Sequence, residues 1–187
     1  MPSVAENNKR IAKNTIILYM RLLFSMAVGL YTSRVILATL GKDDFGLNTV
    51  VASAVSIFFF LNSSMAGATS RFLTVELGKQ NFEKLKKTFS AALTIHVIIA
   101  FITLVIGETI GLWYLENKMV IPESRMTAAR WVYQLSLASA MITVTQVPYN
   151  AIIIAREKMN VYAYIEILRT CLMLGIVYLL VIGNFDK

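Results

Sequence analysis

The fold turns on residues 15–70, TIILYMRLLFSMAVGLYTSRVILATL–GKDD–FGLNTVVASAVSIFFFLNSSMAGATS, in which two apolar stretches of 26 residues flank a four-residue polar break. Each stretch exceeds the ~20 mostly apolar residues that a helix rising ~1.5 Å per residue needs to cover the ~30 Å hydrocarbon core. The pattern continues outward. Further apolar stretches run over about 89–115, 131–155 and 161–182, making five predicted spans. The expected fold class is therefore all-α, a polytopic transmembrane helix bundle, with residues 1–187 as a single transmembrane domain.

Composition agrees: 57% of the 187 residues are hydrophobic, 16% are charged and the mean hydropathy is +0.63, a balance foreign to soluble globular domains. The longest polar stretch between spans, Arg71 to Thr88, is too short to bury a core of its own. A net charge of +7 does not point to nucleic acid, because the basic residues gather at span ends rather than in a stripe with interleaved aromatics. Lys9, Arg10, Lys13, Arg71, Lys79, Lys84, Lys86, Lys87, Arg156 and Lys158 fall on one side of the membrane. Lys42, Lys118, Arg125, Arg130 and Lys187 fall on the other. Ten against five puts the amino terminus in the cytoplasm, the carboxyl terminus outside, and argues against dual topology. The first span is too long for a signal-peptide core and lacks a small-residue cleavage pattern, so it is expected to stay as a signal anchor.

A charge at a helix centre in the bilayer costs ~2.5–3.5 kcal/mol, so intramembrane charges carry information. Arg21 and Arg34 lie in the first span on roughly opposite faces. Arg21 is near enough the cytoplasmic end to snorkel, whereas Arg34 lies ~9 Å short of the outer end. Glu108, in the third span at the depth of Arg34, is a potential ion-pair partner if those spans pack together. Glu166 and Arg169 share one face of the fifth span at the depth of Arg21. Two readings stay open for both layers, structural pairing and a polar transport cavity. His96, the only histidine, can titrate near neutral pH, and so is either a hydrogen-bonded packing residue or a proton-coupling group.

Uncharged polar residues cluster as well. The end of the second span, from Asn62 to Ser70, is small and polar, and the fourth carries Gln134, Ser136, Ser139, Thr143, Thr145, Gln146 and Asn150 with Pro148 among them. Such a helix is not expected to face lipid on all sides. Gly107 and Gly111 form a G-x-x-x-G, read as a site of intrachain packing. Cys171 is the single cysteine, expected as a small packing residue, so no intrachain disulfide forms. No phosphate loop, metal-ligand spacing or activated nucleophile is present in the sequence, so the expectation is neither enzyme nor cofactor, and no transport driven by ATP bound to this chain.

The segments Arg34 to Gly41 with Asp44-Phe45-Gly46-Leu47, Asn62-Ser63-Ser64 with Arg71-Phe72-Leu73, and Gln146-Val147-Pro148-Tyr149-Asn150-Ala151 through Ala155 to Asn160 and Tyr162-Ala163-Tyr164 resemble polysaccharide-exporting flippases. Ile121-Pro122-Glu123 with Arg125 adds to the likeness, which extends over nearly the whole chain. These flippases belong to the multidrug/oligosaccharidyl-lipid/polysaccharide exporter superfamily, beside the multidrug and toxin extrusion pumps. The resemblance implies a transporter of about twelve to fourteen helices in two lobes that alternate access. Its implied substrate is an undecaprenyl-diphosphate-linked glycan, flipped across a bacterial cytoplasmic membrane for surface polysaccharide synthesis. Arginines suit the diphosphate, because a guanidinium pairs bidentately with phosphate oxygens. On that reading Arg34, Arg21, Asn62 and Gln146 are the candidate substrate-binding residues, and Glu108, Glu166, Arg169 and His96 the candidate pairing or coupling residues. Complete members are more than twice as long, so the five spans are expected to make most of one six-helix lobe, with the remaining helices in the same or a partner chain. The alternatives are cation-coupled drug efflux and a non-transporting scaffold or remnant.

Overall fold

In hydrocarbon every backbone N–H and C=O must be satisfied within its own segment, and helices do this for apolar stretches of the lengths found here. A computed structural model describes residues 4–183, with side chains for all of these except 4–7, 57–64 and 180. The described residues are helical apart from short turns, and contain no strand. The helices are α1 (Val4–Gly78), α2 (Phe82–Ile106), a π-helical turn (Gly107–Gly111), α3 (Leu112–Asn117), α4 (Glu123–Ala155) and α5 (Met159–Gly183).

At 75 residues α1 would run ~110 Å if straight, several times the thickness of the hydrocarbon. It does not continue as one helix. Gly41 takes φ 75° and ψ 177°, a conformation that only glycine adopts freely, and so separates residues 4–40 from 42–78. No heavy atom lies within 4 Å of where its Cβ would be, so backbone conformation rather than space calls for glycine there. The polar break expected at 41–44 is thus reduced to one non-helical residue. The polar stretch from Arg71 to Thr88, expected as a loop, is also mostly helical. Only Lys79, Gln80 and Asn81 interrupt it; Gln80 has φ 54°, and the Asn81 side chain caps α2 by accepting from the Lys84 N–H at 3.0 Å. Polar residues can prolong a helix beyond the apolar stretch, because water satisfies their side chains while the helix satisfies the backbone.

Among the described residues four helices are long and apolar enough to cross a membrane: Asn8–Ser56, Phe82–Asn117, Glu123–Ala155 and Met159–Gly183. The stretch expected as a second span, 45–70, is not separate in that count, since it continues α1 and includes 57–64. Large apolar side chains such as Leu30, Leu168 and Ile176 are mostly exposed, as a lipid-facing surface requires.

The chain divides into two units. In the first, made of the described residues up to Phe45 and from Glu157 onward, residues 4–40 run parallel to α5. Four contacts fix the direction: Arg10 with Glu157, Arg21 with Tyr162, Ser25 with Thr170 and Tyr31 with Tyr178, the last through their hydroxyls at 2.7 Å. In the second unit, Gly46–Arg156, neighbouring segments alternate in direction. Val51 and Val55 pack with Leu115, Ala129, Tyr133 and Leu137 at one end, and Leu73 packs with Leu85, Ala151 and Ala155 at the other.

The seam of α4 in this unit consists of Ala129, Tyr133, Leu137, Ala140, Val144, Val147, Ala151 and Ala155, spaced by three and four residues so that they share one face. Pro148 is buried within α4, which remains helical through it. The seam stands close against its neighbour at Gly107 and Gly111. A Cβ on Gly107 would stand 2.6 Å from Leu137 Cδ1, and one on Gly111 would stand 2.0 Å from the Tyr133 hydroxyl. The G-x-x-x-G is therefore an intrachain packing site. Gly111→Ala is expected to cost ~1–3 kcal/mol, read as a lower melting temperature of the detergent-solubilised chain. Gly175→Ala, at a helical position with open space, is expected to leave it unchanged or slightly raised.

Candidate functional site

Polar groups within the helices are the candidates, because each must find a partner or water at a depth where lipid offers neither. In the second unit they begin at the π-turn. An i→i+5 turn inserted in a helix displaces the carbonyls around it, and such turns gather at functional sites. Here the Tyr133 hydroxyl donates to the buried Gly107 carbonyl at 2.8 Å. One residue along each helix, the Gln134 amide donates to Glu108 Oε2 at 3.0 Å. Within this unit the Glu108 carboxylate thus takes a neutral donor. Beyond it, Arg130 and Glu116 form an ion pair at 2.8 Å near the end of α3.

The polar residues of α4 do not line its packing seam. Ser136, Ser139, Thr143, Gln146 and Asn150 follow one another by three and four residues and form a second stripe. Ser139, Gln146 and Asn150 are exposed, and Ser136 and Thr143 half-buried. Thr143 satisfies its hydroxyl on the Ser139 carbonyl at 2.8 Å, the usual recourse of a helical threonine. Ser136 and Ser139 open on a groove of about 390 Å³ that also takes in Asn48. A second cavity, about 540 Å³, lies where Tyr133, Gly111 and Tyr114 face Val50, Ser53 and Ala54. Neutral hydroxyls and amides along such a face can exchange hydrogen bonds with water or a hydroxylated ligand.

His96 is buried, with Nδ1 2.7 Å from the Ala92 carbonyl. A carbonyl only accepts, so Nδ1 carries the proton. Nε2 is buried and unpartnered. His96 also lines a cavity of about 300 Å³ together with Thr69, Phe72 and Thr88. Asn62 lies outside the residues whose side chains are described.

In the first unit the two arginines of α1 differ. Arg34 is exposed, whereas Arg21 is half-buried with its guanidinium carbon 5.0 Å from the centre of the Tyr162 ring, within cation–π range. Arg169 reaches Glu166 at 3.5 Å, a weak pair on one face of α5. Cys171, expected as a packing residue, is exposed on α5. Among the described residues no group of three His, Cys, Asp or Glu is placed to hold a metal ion.

The sequence indicated Glu108, Gln134 and Arg21 as polar positions but not their partners. Tyr133 escaped notice altogether. The available signal was the Gly107/Gly111 pair, which marks a close approach without naming the side chain that fills it. Comparison with protein-family models, curated proteins and solved structures finds no match to this chain.

Tyr133→Phe removes the side-chain donor to the Gly107 carbonyl, which keeps the Leu112 N–H, and is expected to lower stability by ~0.5–1.5 kcal/mol. Because the same hydroxyl is what a Gly111 methyl would strike, Gly111→Ala combined with Tyr133→Phe is expected to cost less than the sum of the two. Thermal unfolding of the four chains in one detergent measures that coupling, and strict additivity would contradict the geometry.

Proposed function

We propose that this chain forms part of a membrane transporter of the polysaccharide-exporting kind, moving a lipid-linked oligosaccharide across the cytoplasmic membrane. The observation that carries the reading is the exposed polar stripe of α4. From Ser136 to Asn150 it covers ~21 Å of helix, most of the hydrocarbon thickness, and it bears no charge. Facing lipid, it would leave the Gln146 and Asn150 amides without water to bond. Facing a water-filled path, it offers donors and acceptors of the kind that sugar hydroxyls need.

The helix directions support the same reading. A chain crossing five times needs its first and fifth crossings parallel and its second, third and fourth alternating. Residues 4–40 run with α5 in the first unit, and the segments of the second unit alternate. In the proposed five-crossing lobe, residues 42–78 supply the second crossing. Exposed Arg34 is the guanidinium assigned to the diphosphate, and Gln146 a contact for the glycan. Glu108 favours one alternative, cation-coupled efflux, since its exposed carboxylate takes a neutral amide donor from Gln134 and offers oxygens to a cationic cargo.

Arg34→Ala in the native host is expected to reduce surface polysaccharide at least about tenfold, the loss corresponding to a missing charge-assisted contact, while membrane insertion is unchanged by immunoblot. Normal polysaccharide would remove Arg34 from the role. Ionophore-sensitive dye efflux lost on Glu108→Gln would favour the alternative.

A further inference from the structure

Among the described residues no carboxylate pairs with Arg21. Its Nε is buried and makes no hydrogen bond, and Tyr162 stacks on its guanidinium without neutralising it. The carboxylates with described side chains in this unit are Asp43, Asp44, Glu157 and Glu166. Glu166 is engaged with Arg169 and Glu157 with Arg10, the latter at 2.9 Å. Asp43 and Asp44 have partners of their own, and lie more than twenty residues along α1, ~30 Å away if straight.

The depth of Arg21 limits what can supply the missing charge. Lys13 on α1 and Lys158 before α5 mark the basic, water-facing end of both helices, and the Arg21 backbone lies ~12 Å inside Lys13. A guanidinium reaching back along the helix arrives at headgroup depth. The Tyr162 ring, only four residues past Lys158, sits where it meets the guanidinium at that level. Around them the surface is apolar and exposed at Met20, Leu23, Ile165 and Leu168. An anion that also brings acyl chains to cover those residues is a phospholipid.

We propose that Arg21, held by Tyr162, binds the headgroup phosphate of an anionic lipid from the cytoplasmic leaflet in the groove between α1 and α5. The phosphate oxygens accept from the guanidinium N–H groups, and the acyl chains lie along the exposed apolar residues of both helices. In this proposal the lipid is a phospholipid of the surrounding leaflet, in place of the cargo contact that the resemblance implies for Arg21.

The test is lipid retention by the full chain, purified, delipidated in detergent, and offered phosphatidylglycerol or phosphatidylcholine, with bound lipid read by native mass spectrometry. Phosphatidylglycerol is expected to be retained in preference, and Arg21→Gln to weaken that retention about tenfold. Tyr162→Leu keeps the charge but frees the guanidinium, so a loss of about two- to fivefold is expected. Inorganic phosphate is expected to displace the lipid poorly, because it has no acyl chains; effective displacement would mean a free-anion site and overturn the lipid assignment. Equal retention of the two lipids by the unaltered chain, a result that needs no variant to fold, would also overturn the proposal, as would undiminished retention by Arg21→Gln.

Discussion

The close approach of α4 to the turn at Gly107–Gly111 is the constraint around which the second unit is built. Two residues without side chains let Leu137 and Tyr133 come against the backbone, and the Tyr133 hydroxyl then gives the Gly107 carbonyl a second donor beside the Leu112 N–H. Between helices in lipid there is little hydrophobic driving force, since acyl chains are as apolar as leucine. Association therefore rests on close packing and on hydrogen bonds of this kind. Ala129, Ala140, Ala151 and Ala155 extend the small-residue side of the seam in both directions.

That packing also decides what α4 leaves uncovered. With its alanines, valines and Tyr133 turned inward, a 3.6-residue period puts Ser139, Gln146 and Asn150 outside. A helix with a packed apolar seam and an exposed neutral polar stripe separates two roles that sequence composition blends, holding the unit together and presenting hydrogen-bonding groups. The first unit separates its charges in a similar way. Arg10, Arg169 and their carboxylates pair with one another, leaving Arg21 stacked and Arg34 exposed.

Much of the fold was legible from residues alone. Of the five spans expected from hydropathy over windows of about 20 residues, four helices long and apolar enough to cross a membrane are present, 45–70 continuing the first, and the packing role of Gly107 and Gly111 follows from their spacing. The extents of the helices were less legible. Residues 71–78 look like loop by polarity, yet remain helical because backbone hydrogen bonding does not depend on hydropathy. Gly41 looked like one member of a polar loop, and only its positive φ identifies it as the residue where the helix breaks.

Sequence by itself determined that this chain is helical and suited to a membrane, because transfer free energy is close to additive along a segment and needs no knowledge of neighbours. It also marked the positions where polar groups cost most. Which of these groups are satisfied was decided only in three dimensions. Glu108 meets Gln134 across 26 positions and Ser25 meets Thr170 across 145, and such pairs depend on how each helix is rotated about its axis. Rotation is set by side-chain packing, where a single missing Cβ at Gly111 decides whether Tyr133 can enter. Hydropathy averaged along a segment carries no trace of that fit.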